Sequence, residues 1–501
     1  MRERHSQVRW CGGTASARTV GRRPGPCPRS FRSARQGLTP TPVPVPGSVS
    51  DGRPVPVAAP ESGSYDGKVR SGSCGTLGDV RQRGSFMGRY RTPTVLAAAS
   101  LLLTALCAGQ APAAAPPGRV DIDPVVAEQL DEAITAAMRK ADIPGVGVGL
   151  WIDGEDPYVR AFGTSDKATG VPIKTDMHTR IGSVTKTFTI TAVLQLVDDG
   201  KVRLDAPIST YLDGVPGGGK ITVRQLADMR SGLYNYTEDP RLLAAYKADP
   251  HRAWTPQELL DTAFRHPANF PPGTRWEYSN TNTVLLGLLV EKVAGQPLHT
   301  YLEQHVLEPA GLDATSLPTG AEIASPFVHG YTNFTPDGAT VDASTWNPSW
   351  AWAAGAMIST MDDLHSWVPT LVTGKLPDGD RLLEPATQAQ RVRMLPTGHP
   401  DIGYGLGIAE LDGWIGHNGE LPGYETIAVR LPQARATMVI VVNSDVDGKF
   451  GNLSSLIANT VTKIVTPEHV WGLPPAAQPN TVPEPSTPST PSTPPTPAPS
   501  S

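Results

Sequence analysis

Three groups of residues in this chain have the types and spacing for acyl transfer. The first is Ser183-Val184-Thr185-Lys186. Three residues is just under one helical turn, so a helix over this stretch puts Ser183 and Lys186 on one face. A serine hydroxyl is a weak nucleophile at neutral pH and needs a neighbouring base. A lysine amine stripped of water in a pocket can be that base. The start of the same helix offers unpaired N–H groups to a developing oxyanion. Ser183 is the chain's only serine with lysine at the third position after it. The second group is Tyr278-Ser279-Asn280, at the entrance of an apolar helical pattern. A free phenol has a pKa of about 10. Beside Lys186 it could be lowered and could carry the nucleophile's proton to a leaving group. Asn280 could hold Lys186 and a substrate amide. The third group is Gly416-His417-Asn418-Gly419-Glu420, at the end of a predicted strand. An edge strand beside a nucleophile can pair with an extended acyl substrate, and the Glu420 N–H could join that of Ser183 at the oxyanion. Taken singly, each group also has a purely structural reading: a chance Ser-x-x-Lys, a packed tyrosine with an ordinary helix cap, a polar hairpin with a glycine turn.

The elements that must position these groups follow from periodicity. Asp123 to Ile143 carries Val125, Val126, Leu130, Ile134 and Met138 at helical spacing, and Pro144-Gly145 stops it. Val146–Ile152 and Tyr158–Phe162 read as strands around Asp153-Gly154. The Ser183 helix ends near Gly200, and residues 200–325 are mostly helix and loop. A second long helix follows Asn280 and stops at Gly295, and a third begins near Thr360-Met361. Strands return at Tyr404–Glu410, Trp414–His417, Thr426–Leu431 and Thr437–Asn443, before a closing helix over Leu453, Leu456, Ile457, Val461 and Ile464. The expected fold class is therefore α+β, an α/β sandwich. One antiparallel sheet is built from both chain ends and flanked by helices, with a mostly helical inserted domain.

Composition bounds the rest. Residues 1–86 hold 14 Lys and Arg against 5 Asp and Glu, whereas the remainder holds 29 against 43. An acidic body argues against nucleic acid as a partner. All four cysteines precede residue 108, so the folded part has no disulfide and no thiol nucleophile, and the eleven histidines show no metal-binding spacing. Residues 1–86 are Arg-, Pro-, Gly- and Ser-rich without apolar periodicity and read as disordered, or as an extension from a mis-assigned start. Met87-Gly88-Arg89-Tyr90-Arg91, the apolar run Val95–Leu106 and the Ala-rich exit at 111–115 make a secretory signal peptide over 87–115. That leader predicts a secreted protein without a transmembrane anchor in the mature chain. The hydrolase domain is expected over 116–473, followed by a disordered Pro/Thr/Ser tail at 474–501.

Ser-x-x-Lys, Tyr-x-Asn and a His-x-Gly strand, in this order, resemble the penicillin-recognising serine hydrolases. Tyr278 and His417 bring the pattern close to the class C β-lactamases and, more closely, to the secreted Streptomyces-type D-alanyl-D-alanine carboxypeptidases. Arg230-Ser231-Gly232-Leu233-Tyr234, Ala354-Gly355-Ala356 and Gly403-Tyr404-Gly405-Leu406-Gly407 share that look, and the resemblance covers about residues 120–470. It implies Ser183 as the acylated nucleophile, Lys186 and Tyr278 as the acid/base pair, and His417 completing the proton network. Asn280 would position substrate and Trp350 would wall the cleft, with Asn418, Gly419 and Glu420 on the substrate-binding strand. Peptidoglycan stem peptides or related acyl substrates, and β-lactams, are the implied partners, with no cofactor. An esterase, a β-lactamase or a non-catalytic penicillin-binding sensor on the same fold are the alternatives. The carboxypeptidases carry Thr where this chain has Asn418 and Glu420, and an Arg where Ile408-Ala409-Glu410 has no cation. Recognition of a terminal carboxylate is thereby weakened.

Overall fold

The computed structural model describes residues 122–446 and 450–472. The extension 1–86, the leader 87–115 and the tail 474–501 lie outside these residues. Among the described residues, nine strands form one antiparallel sheet. Its order is Val171–Pro172, Tyr158–Asp166, Gly145–Ile152, Ala436–Val442, Tyr424–Leu431, Trp414–Leu421, Ala409–Leu411, Ile402–Tyr404 and Leu395–Pro396. The first and last long strands meet at the centre, with Val146 opposite Val442 and Ile152 opposite Ala436. Sheet construction from both chain ends is thus as expected.

Side-chain alternation along a strand lets one sheet serve two cores. In Ala436–Val442, Met438, Ile440 and Val442 join the layer under the terminal helices, while Val439 and Val441 join the opposite layer. The terminal helices Pro124–Ala141 and Leu453–Val465 bury Leu130, Ile134 and Met138 and Leu453, Ile457 and Val461 against the first face. Asp123 caps the first helix, its carboxylate accepting the N–H groups of Val125 and Val126, both at 2.8 Å. Asn452 caps the second through the Ser455 N–H at 2.9 Å.

The helix Met361–Thr373 covers the other face and joins it to a helical half built around Thr185–Asp198 and Asn280–Ala294. Every residue from Thr185 to Leu194 is buried. A helix without a wet face belongs to a core, and its threonines are satisfied there: Thr189 Oγ1 donates to Ala353 O at 2.8 Å and Thr187 Oγ1 accepts from Trp367 Nε1 at 2.9 Å. Trp367 also stacks on Phe188, with ring centroids 4.2 Å apart.

Local readings shift at three places. Ser183 sits in a 3-10 turn, Gly182–Val184, which leads into the α-helix at Thr185. The strand expected over Tyr404–Glu410 is broken in two. Gly405 N–H bonds Ile408 O at 2.8 Å, and Gly407 takes φ +67° against the Ile190 side chain, so Gly405–Ile408 is a tight turn rather than strand. The strand expected over Trp414–His417 instead runs to Leu421, because residues 415–421 pair without interruption with 424–430.

Candidate active site

Ser183 lies at the bottom of the contact between the two halves, only 6% exposed. The helix following it carries Lys186, which is fully buried. Lys186 Nζ donates to Ser183 Oγ at 2.9 Å and to the Ala354 carbonyl at 2.7 Å. Tyr278 enters from the segment before the helix Asn280–Ala294, and its hydroxyl donates to the same Ser183 Oγ at 2.9 Å. The Lys186 nitrogen stands 4.9 Å from the Tyr278 ring centroid. An amine and a phenol thus converge on one hydroxyl oxygen in a site shielded from water. This arrangement can move a proton off a serine and return it to a leaving group.

The strand Trp414–Leu421 passes directly over the nucleophile turn. Gly182 has φ +50°, and a methyl group there would lie 2.3 Å from the Glu420 backbone nitrogen. A methyl on Gly419 would lie 1.9 Å from Ile181 O and 2.9 Å from the Ser183 nitrogen. Two bare glycines allow that approach, which brings the backbone around Ser183 and Glu420 into contact. On its other side this strand pairs with Ala409–Leu411 only as far as Gly416. Its 417–421 edge beside Ser183 is therefore unpaired by any strand among the described residues.

His417 points to the nucleophile side, opposite Ala428, and is fully buried. Burial, with the nearby Lys186 charge second, pushes its pKa down to about 3. Its Nδ1 lies 2.5 Å from Asn418 O and its Nε2 lies 3.1 Å from Tyr404 OH. Asn418 and Glu420 alternate with His417 and face the other side of the strand, opposite Ile427 and Glu425. Both are half-buried.

Asn280 and Trp350 make the following contacts among the described residues. Asn280 lies at the start of its helix. Its Nδ2 donates to Thr237 Oγ1 at 3.2 Å, and its backbone N–H donates to Asn235 Oδ1 at 3.1 Å. Asn280 opens its helix, and its side chain follows the first turn toward the 235–238 segment. Trp350 is half-buried, with its ring 5.1 Å from that of Tyr246 and its carbonyl accepting the Tyr236 hydroxyl at 2.8 Å. Trp350 also packs against the Tyr246, Ala343 and Trp346 cluster. The Lys186 acceptor, Ala354 O, and the His417 partner, Tyr404, were not among the expected site residues. Small residues at Ala353-Ala354-Gly355-Ala356 were the signal for the former, since only a thin segment fits against Gly182, 3.7 Å from the Cβ position of Gly355.

The beta-lactamase family profile matches residues 130–461. The chain belongs to the beta-lactamase family. Among solved structures it is similar to the D-stereospecific amidohydrolase from Streptomyces sp., with 32% identity, a TM-score of 0.60, and coverage of 68% of this chain and 98% of that one. It is also similar to the D-amino acid amidase from Ochrobactrum anthropi SV3, with 28% identity, a TM-score of 0.59, and coverage of 67% and 98%. Penicillin-binding protein 4 of Amycolatopsis lactamdurans is 27% identical over 342 residues, 64% of this chain and 86% of that protein. The protein is thus a serine hydrolase of the beta-lactamase and penicillin-binding group.

Proposed function

We propose that this protein is an exported, D-stereospecific hydrolase that cleaves amide and ester bonds through a Ser183 acyl-enzyme. Its acyl donors have D configuration, and its leaving groups carry no carboxylate. Ser183 Oγ attacks the substrate carbonyl carbon, and its proton passes to the Lys186–Tyr278 pair. The N–H groups of Ser183 and Glu420 hold the oxyanion. The C–N or C–O bond to the leaving group then breaks, and the leaving group takes the proton. Water repeats the sequence on the Ser183 ester and releases the acid. Export rests on the leader at 87–115.

The observation that carries the substrate reading is that Ile408-Ala409-Glu410, part of which pairs with the strand over Ser183 as far as Gly416, offers no cation to receive a carboxylate-terminated leaving group. Similarity to an amidohydrolase and an amidase named for D substrates supports the same class. A second reading is a D-alanyl-D-alanine carboxypeptidase acting on peptidoglycan stem peptides. Likeness to a penicillin-binding protein over 86% of that protein's length favours it. β-Lactams acylate Ser183 under either reading.

The test is a substrate panel on residues 116–501, with Ser183→Ala as the control: D-phenylalanine amide, its L enantiomer, p-nitrophenyl acetate, a D-Ala-D-Ala peptide and a fluorescent penicillin. Ammonia release from the D amide well above the L amide is expected. D-alanine release as the fastest reaction would replace this reading with the carboxypeptidase. Rapid penicillin turnover would make the enzyme a β-lactamase. No hydrolysis and no adduct would leave a sensor module.

A further inference from the structure

The imidazole of His417 has both nitrogens engaged, and the chemistry of the two partners fixes where its hydrogen sits. Nδ1 lies 2.5 Å from the Asn418 backbone carbonyl, an atom that only accepts, so Nδ1 carries the hydrogen. Burial and the neighbouring Lys186 charge keep the ring neutral at working pH. A neutral imidazole has one N–H, which leaves Nε2 as a lone pair. The atom 3.1 Å from Nε2 is the Tyr404 hydroxyl, and the hydrogen between them is therefore the tyrosine's. Tyr404 is fully buried at the end of Ile402–Tyr404. Its ring meets His417 edge-on, with centroids 5.9 Å apart at 89°, and packs on Trp276 at 5.7 Å. Met229 completes this cluster beneath Tyr278. The Gly405–Ile408 turn ties the strand's end down, with Leu406 N–H on Arg391 O at 3.0 Å.

We propose that Tyr404 is a positioning residue: its hydroxyl occupies Nε2 of His417, locks the Nδ1–H tautomer, and leaves proton transfer at Ser183 to Lys186 and Tyr278. His417 then serves as a neutral wall beside Lys186 rather than as a base. The consequence is specific to the hydroxyl. Without it, Nε2 loses the donor that helps keep it unprotonated, and an imidazolium formed at acid pH would lower the affinity of Lys186 for the Ser183 proton. The functional half of this inference rests on the acyl-enzyme reading above, whereas the tautomer does not.

The experiment has two parts, one independent of activity. Long-range nitrogen–proton NMR of ¹⁵N-histidine-labelled protein (His417 assigned with His417→Gln) reports the tautomer directly. Native enzyme is expected to show Nδ1–H from pH 5 to 9, and an Nε2–H signal would overturn the proposal outright. The second part compares Tyr404→Phe with Trp276→Phe by the pH profile of kcat/KM on p-nitrophenyl acetate. Tyr404→Phe is expected to move the acid limb up by about one pH unit, the worth of one hydrogen bond, with little change at pH 8. Trp276→Phe, which disturbs only packing, is expected to scale the profile without moving it. An equal loss at every pH in Tyr404→Phe would reduce Tyr404 to a packing residue and overturn the proposal. If no variant or native enzyme hydrolyses any ester or amide, the acyl-enzyme reading fails while the NMR result still decides the tautomer.

Discussion

The Cβ position of Gly182 lies 2.3 Å from the backbone nitrogen of Glu420. Two segments separated by more than two hundred residues are thus in contact where the chemistry needs two N–H groups side by side. A methyl group at Gly182 must push the strand away and must also accept φ +50°. Gly182→Ala is therefore expected to lower the acylation rate on p-nitrophenyl acetate by about 10²–10³-fold, the loss typical of one displaced oxyanion donor. Stopped-flow bursts measure it. Circular dichroism is expected to stay native, since the strain is confined to one turn.

Lys186 and Tyr278 both reach Ser183 Oγ at 2.9 Å, so they act on one proton and not on two. Lys186→Met and Tyr278→Phe are each expected to lower kcat by about 10²–10⁴-fold, the usual range for a proton-transfer group. The double variant is expected to fall little below the worse single one, because residues working as a unit are non-additive. A multiplicative loss in the double variant would show two separate roles.

Much of this was legible in the chain because each signal was local. Ser183 and Lys186 share a helical face by spacing alone, and the apolar run within Thr437–Asn443 marked a strand that the structure places at Ala436–Val442. What sequence hid were contacts made by backbone and by unrelated segments. Ala354 contributes a carbonyl, which no side-chain motif encodes. Tyr404 looked like part of a continuous strand, since Leu406 and Ile408 continue the apolar alternation. The turn exists because Leu406 and Ile408 are drawn into the core beside the Ser183 helix. The Asn280 N–H and side-chain amide donate to the 235–238 segment, forty-odd residues earlier, contacts that its own motif does not encode.

Glu425 lies opposite Glu420 on the neighbouring strand and carries a separate, pH-linked prediction. It is 2% exposed, and its Oε2 accepts the Ser454 N–H at 2.6 Å, at the start of the C-terminal helix. Burial, the largest influence, raises its pKa from the usual 4.5 to about 8 despite that hydrogen bond. A raised folded-state pKa means the folded protein binds the proton more tightly than the unfolded chain. The stability it contributes is complete below pH 4.5 and is lost as pH climbs through 8. Urea unfolding at pH 5 and at pH 8.5 is therefore expected to show the native protein losing on the order of 2–4 kcal/mol from this group. Glu425→Gln keeps an acceptor for Ser454 but cannot ionise, so its stability is expected to change much less between the same two pH values. Parallel losses in both proteins would assign the pH dependence elsewhere, with Asp228, whose pKa burial raises to about 6, as the next group to replace.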